Sequence, residues 1–230
     1  MHFLVIGATG QVGRRIVTAA LAGSHTVTAL VRDAAAATAL LPSSPALAVL
    51  QGSPRSEADL AAALTPRADA PPVDAVLVAL RLATTSASPL AGLVPGAPPR
   101  LGAETVRALA PAMRAAGVRR LVVLSSQGVG ASLAGVWAPM RALFRHSNMR
   151  LQLADHEEVD GLLRTPGGPE FVLVRSVMMA EGPARKVVDH GDEGTGAGWM
   201  PSITRDSVAE FMVRAASGSE FVGRSPVISN

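Results

Sequence analysis

Phe3-Leu4-Val5-Ile6-Gly7-Ala8-Thr9-Gly10-Gln11-Val12-Gly13 is the stretch whose reading decides the fold. Four apolar residues in a row end at a glycine, as in a short strand buried on both faces. Glycine then recurs at every third position, and Arg14 to Ala22 reads as a helix closed by Gly23. Gly7 permits a tight turn, Gly10 lets a pyrophosphate approach the backbone, and Gly13 lets the helix pack closely on the strand. The helix N-terminus then offers unpaired N–H groups to phosphate oxygens. Gly7, Thr9, Gly10, Gln11, Val12 and Gly13 are therefore expected to cradle a dinucleotide.

The same alternation continues downstream. Thr26–Val31, Ala46–Leu50, Val73–Leu80, Leu121–Leu124 and Phe171–Val174 read as further strands, with Val227-Ile228 as a short last one. Helices are expected over Ala34–Leu41, Ser56–Leu64, Ala103–Ala116, Ala154–Leu163 and Arg205–Ala216. Uniformly apolar strands between helices predict an α/β fold, a doubly wound parallel sheet of Rossmann type, forming a single domain over residues 1–230. Three segments break the pattern, near 81–101, 127–150 and 178–202, and are expected to be irregular loops. All three follow strand carboxyl ends, where open α/β sheets bind ligands, so they are read as substrate loops.

Composition narrows the chemistry. The 230 residues are 48 % hydrophobic and 17 % charged, enough for a sizeable core. Cysteine and tyrosine are absent, which excludes thiolate metal sites, cysteine nucleophiles and any tyrosine acid. The sequence pI of 10.8 arises from a net charge of only +3 in a chain with Lys186 as its single lysine. Almost nothing can titrate between histidine and arginine. No basic run exceeds two residues and aromatics are 3 %, so no nucleic-acid partner is expected. The start resembles neither a leader nor a membrane span, and a soluble cytoplasmic protein with no membrane partner is expected.

The end of the second strand, Leu30-Val31-Arg32-Asp33, sets the cofactor preference. Arg32 can pair with a 2′-phosphate and stack on adenine, which favours NADP(H). Asp33 in the ribose position would favour NAD instead. Ser53 after the third strand, and Ala79, Leu80 and Arg81 after the fourth, are expected to pass beside the cofactor.

Strand five ends Leu124-Ser125-Ser126, and a later helix carries Asp155-His156-Glu157-Glu158. Ser125 and Ser126 are candidate contacts to the reacting groups, Ser125 to the cofactor as well, or else backbone caps. His156 shares a helical face with Val159 and Leu163 and is the candidate proton donor. Its acidic neighbours are expected to raise its pKa. A packed or capping histidine is the alternative, and Asp155 is read as a helix cap. His190 with Asp189, Asp192 and Glu193 shows no ligand periodicity, so no metal is expected.

The opening Gly-Ala-Thr-Gly-Gln-x-Gly resembles the extended and atypical short-chain dehydrogenases/reductases. Ala112-Met113 to Gly117-Val118, Asp155-His156 and Ile203-Thr204-Arg205-Asp206 sharpen the likeness. The chain is similar to the NmrA-like NAD(P)H-binding proteins and to the biliverdin reductase B or flavin reductase group. The resemblance implies hydride transfer from NADPH to a planar conjugated acceptor, with Ser125 or Ser126 and His156 beside the nicotinamide. It departs at Arg175-Ser176, where relatives show Arg-Pro or Pro-Pro, and at Val177-Met178, where the group has a second histidine. Fungal relatives with a similar Asn148-Met149 and Asp155-His156 arrangement accompany secondary metabolism.

The expected function is an NADPH-dependent oxidoreductase lacking the Tyr-Lys pair. It would act on a small molecule such as a flavin, quinone or polyketide-type metabolite, as a monomer or homodimer. Two alternatives stay open: an NADP-sensing regulator without turnover, and a redox-neutral isomerase, cyclase or dehydratase on the same fold.

Overall fold

Apolar runs too short for helices, separated by stretches with one apolar face, sort into three layers. The computed structural model describes residues 1–66, 70–86 and 91–230. Its strands are β1 (His2–Ile6), β2 (Thr26–Val31), β3 (Leu47–Gln51), β4 (Ala75–Val78), β5 (Arg120–Ser126), β6 (Glu170–Ser176), β7 (Met178–Ala180), β8 (Val188–Asp189), β9 (Ser202–Thr204) and β10 (Val227–Ser229). Eight of them form one sheet in the order β3-β2-β1-β4-β5-β6-β10-β8. All neighbours are parallel except β8, which closes the edge antiparallel to β10. β7 and β9 pair separately. The chain reverses its direction of travel across the sheet between β1 and β4, the crevice where such folds bind ligands.

Both faces of the sheet are covered, which is why the strands are apolar at nearly every position. Phe3 and Val5 join α1 (Gln11–Ala22) and α7 (Arg205–Ser217) in one core. Leu4 and Ile6 point the other way, against α3 (Glu57–Leu64), α4 (Leu101–Ala115) and α6 (Met149–Leu163). The architecture is a Rossmann-like single domain.

The segment 127–150 is not the irregular loop that its sequence suggests. It holds a 3-10 turn at Gly130–Leu133 and α5 (Ala138–His146), and α6 begins at Met149 rather than Ala154. The physical reason is that α5 is short: its apolar face of Met140, Leu143 and Phe144 spans little more than one turn behind a proline and buries no residue fully, so it does not stand out as a helix. The inward face of α6 carries polar Asp155, His156 and Asp160, which hides its period. Segment 178–202 is partly ordered by β7 and β8. In 81–101, Thr84 bridges Leu93, Leu101 already belongs to α4, and residues 87–90 lie outside the described residues.

Candidate functional site

The glycine turn sits at the β1–β4 crevice. The Ala79 N–H donates to the Ile6 carbonyl at 2.9 Å, which lays the end of β4 against Gly7. Gly7 has φ +86°, and a Cβ there would overlap the Ala79 carbonyl and come within 3.2 Å of the Leu80 side chain. A Cβ on Gly13 would overlap the Gly7 carbonyl. Gly10 differs: its Cβ would meet only the Gly7 oxygen at 3.2 Å and the Ala79 oxygen at 3.9 Å. Gly7 and Gly13 are thus required by packing, while Gly10 leaves a backbone surface open.

The start of α1 is open as well. Gly10 supplies no side-chain cap and no acid lies in the first turn. By contrast Asp33 caps α2 (Ala34–Leu40), Ser56 caps α3 and Thr204 caps α7. α4 is capped from outside, since Asp155 of α6 accepts from the Gly102 and Ala103 N–H groups, both at 2.9 Å, while α5 and α6, like α1, start without a side-chain cap. Asp155 therefore caps α4, not its own helix. Burial raises its carboxyl above the usual range against these two donors. An uncapped N-terminus over an open glycine fits a diphosphate. The Val12 side chain lies in the core, so only its backbone can serve a ligand. Thr9 is half-buried and Gln11 exposed. Arg14, in the first turn of α1, keeps a buried Nε without a partner.

At the end of β2, Arg32 is exposed and makes no ion pair among the described residues. Asp33 is exposed, and its Oδ1 accepts from the Ala36 N–H at 3.0 Å to cap α2. After β3, the Ser53 N–H donates to Asp59 at 2.8 Å, and its Oγ accepts from the Arg55 N–H at 3.3 Å. Asp59 of α3 thus places a carboxylate at this turn, a contribution hidden in the sequence within a helix-start acid cluster. Arg81 is exposed and donates to the Thr84 hydroxyl at 3.0 Å.

Ser125 and Ser126 end β5 on opposite faces of the sheet. Ser125 alternates with Leu121 and Val123, which pack in the same core as Val159 and Leu163 of α6. His156, on the inner face of α6, therefore shares its side of the sheet with Ser125. Ser126 lies on the other side and donates to the Gln127 carbonyl at 3.0 Å. Ser125 is 2 % exposed, and its Oγ has no partner.

The expected charge on His156 is overturned. Burial pushes its pKa down to about 4, and the neighbouring acids do not offset this. Asp155 is turned to α4, Glu157 accepts from the Gly130 N–H at 2.8 Å, and Glu158 pairs with Arg100 and Arg107. His156 is instead held at Nε2 by the Gln152 side chain at 2.7 Å.

Arg175, set beside Ser125 in the β5–β6 register, is 1 % exposed. Its Nη2 lies 3.3 Å from Asp160 of α6 and its Nη1 donates to the Asp192 carbonyl at 2.8 Å. Burial lowers its pKa while Asp160 opposes the shift. Gln152, His156 and Asp160 recur every fourth residue, so one polar stripe of α6 overlies the ends of β5 and β6. That spacing is the one signal in the sequence that pointed to it.

His190 bonds Ser229 at 2.7 Å, and Asp189 pairs with Arg224 at 3.0 Å. Among the described residues no cluster of His, Asp and Glu is placed to hold a metal ion. No helix among them is long and apolar enough to cross a membrane.

The structure resembles ChuY from Escherichia coli O157:H7, an anaerobilin reductase, with a TM-score of 0.71 and 20 % identity over 100 % of this chain and 97 % of that one. A Lactobacillus casei protein matches with a TM-score of 0.75 and 22 % identity over 100 % and 99 % of the two chains. A short-chain dehydrogenase/reductase from Veillonella parvula matches at 0.73 with 14 % identity over 100 % and 94 %. No curated protein matches the sequence. At these identities the structural likenesses establish the fold. Residues 7–218 match the NAD(P)H-binding family model, and the chain belongs to that family.

Proposed function

We propose that the protein is an NADPH-dependent reductase of a small, planar, conjugated acceptor. One observation carries this reading: an uncapped α1 over the open Gly10 surface, in a chain with no tyrosine. The cofactor site is kept while the usual proton donor is gone. When bound, the nicotinamide supplies a hydride to the acceptor. An acceptor that stabilises its own anion, as a flavin or quinone does, then needs no strong acid from the protein.

The backbone of residues 7–13 holds the diphosphate, with Ala79 and Leu80 walling the crevice. Arg32, exposed and without an ion pair among the described residues, takes the 2′-phosphate, while Asp33 caps α2 through Oδ1. Ser125 offers its unpaired hydroxyl on the α6 side of β5, and neutral His156 lines that side. The kinship of the fold to ChuY, an anaerobilin reductase, supports a conjugated acceptor.

The test is loss of NADPH absorbance with a panel of flavins, quinones and linear tetrapyrroles. Turnover with at least one class is expected. Tight NADPH binding with no turnover across the panel would support the second reading, an NADP-sensing regulator. That reading is favoured by the absence of a charged donor at His156.

A further inference from the structure

The 3-10 turn at Gly130–Leu133 and α5 line an open cavity of about 710 Å³ that holds none of the residues assigned to the cofactor. Its Gly130 wall follows the carboxyl end of β5 by a few residues in the chain. One face of α5 lines it, with Ala138, Arg141, Ala142 and Arg145 at helical spacing, and the opposite wall is Gly130, Ala131 and Ala134. Leu133 is the one larger apolar side chain in the wall, and the charge is one-sided.

Neither Arg141 nor Arg145 makes an ion pair among the described residues. His146 adds a third basic group at the helix end. Glu157 reaches the Gly130 wall, but its carboxylate faces the Gly130 N–H. Two unpaired guanidinium groups one turn apart, in a cleft with small-residue walls, suit a flat molecule bearing an anionic group.

An aromatic pair stands at the N-terminus of α5. Trp137 immediately precedes the lining residue Ala138 and meets Trp199 edge to face, with centroids 5.5 Å apart and planes at 85°. Both are largely exposed, at 46 % and 66 %, which is unusual for the two tryptophans of a chain. Beneath them, Gly135 packs on the Glu193 and Gly194 carbonyls, so the 127–137 and 191–199 segments meet here.

We infer that this cavity is the anion subsite of the acceptor. It takes the carboxylate, sulfonate or phosphate of a planar conjugated molecule, with Arg141 and Arg145 as charge partners and Trp137 and Trp199 against the ring system. The inference deepens the reductase reading and rests on it.

The probes are a sulfonated ortho-naphthoquinone and its unsulfonated parent, which differ by one anionic group. The chain has no cysteine to react with them, and its two tryptophans report binding by quenching. The sulfonated probe is expected to bind at least about tenfold more tightly, a preference that shrinks as salt rises. Arg141→Ala with Arg145→Ala is expected to remove the preference and leave binding of the parent unchanged. A pair of Arg→Gln changes, which keeps the side-chain stems, provides the second variant. Equal affinities in the native protein, or a preference that survives in both variants, overturns the inference. The two ideas fail separately. A binding preference together with no NADPH oxidation by these quinones, flavins or linear tetrapyrroles sinks the reductase reading, whereas oxidation of both quinones with equal KM sinks the anion subsite.

Discussion

The Gln152 amide nitrogen lies 2.7 Å from Nε2 of His156, while its amide oxygen accepts from the Leu82 N–H at 2.8 Å. An amide nitrogen can only donate, so Nε2 of His156 is an acceptor and carries no proton. A backbone N–H after β4 thereby fixes the tautomer of a histidine on α6. The geometry and the pKa of about 4 agree that this imidazole is neutral at physiological pH.

The pH dependence follows with a definite sign. His156 falls from 6.5 in the unfolded chain to about 4 in the folded one. The unfolded chain therefore takes up a proton first, and stability is full above pH 6.5 and declines as pH falls toward 4. The loss approaches about 3 kcal/mol at the acid end. In His156→Gln the same acid-side decline should be shallower by that amount. Urea denaturation of both proteins across this range measures it, and identical slopes would remove His156 from the account.

Arg32 and Asp33 make opposite demands on cofactor choice; Arg32 has no ion pair among the described residues, while one oxygen of Asp33 already caps α2. NADPH should therefore bind more tightly than NADH. Arg32→Ala should weaken NADPH about tenfold, the value of one exposed charge-assisted contact. NADH should change little. Isothermal titration with both cofactors decides, and tighter NADH binding in the native protein rules out the role given to Arg32.

The three glycines of the turn should separate into two classes. Gly13→Ala would drive a methyl group into the Gly7 carbonyl, so it should lower the melting temperature sharply, as overpacking does. Gly10→Ala brings its Cβ to 3.2 Å from the Gly7 carbonyl oxygen, a far milder crowding than at Gly13, so it should lower the melting temperature only slightly yet bind NADPH at least about tenfold more weakly. Thermal melts with and without NADPH read both effects. Normal cofactor affinity in Gly10→Ala would mean that the diphosphate does not lie over Gly10.

The turn was legible because its residues are local: strand, three glycines and helix fall within one short stretch. The sheet was legible because burial on both faces makes every strand apolar. What stayed hidden has a common physical cause. α5 is only nine residues long, and its apolar face of Met140, Leu143 and Phe144 is too short to stand out from the surrounding loop-like sequence. The charge state of His156 depends on desolvation and on Gln152, whereas its sequence neighbours suggested the opposite shift. Asp155 caps a helix some fifty residues away in sequence, and Arg175 finds Asp160 and Asp192 only through the packing of α6 and a distant loop.

Ser125 gives the sharpest separation between a structural and a functional hydroxyl. A buried Oγ without a partner carries a desolvation cost that folding does not recover. Ser125→Ala should then leave the unfolding free energy unchanged or raise it by about 0.5 kcal/mol or more. If the hydroxyl instead meets the acceptor or the nicotinamide, the same change should lower NADPH-dependent turnover by about tenfold or more. Ser126→Ala is the control, since that hydroxyl already donates to the Gln127 carbonyl on the other face of the sheet. It should cost about 1 kcal/mol of stability with little effect on turnover. A Ser125→Ala protein that loses more than about 1 kcal/mol while keeping full turnover would make Ser125 a structural donor. The reacting centre would then have to be sought away from the α6 face of β5.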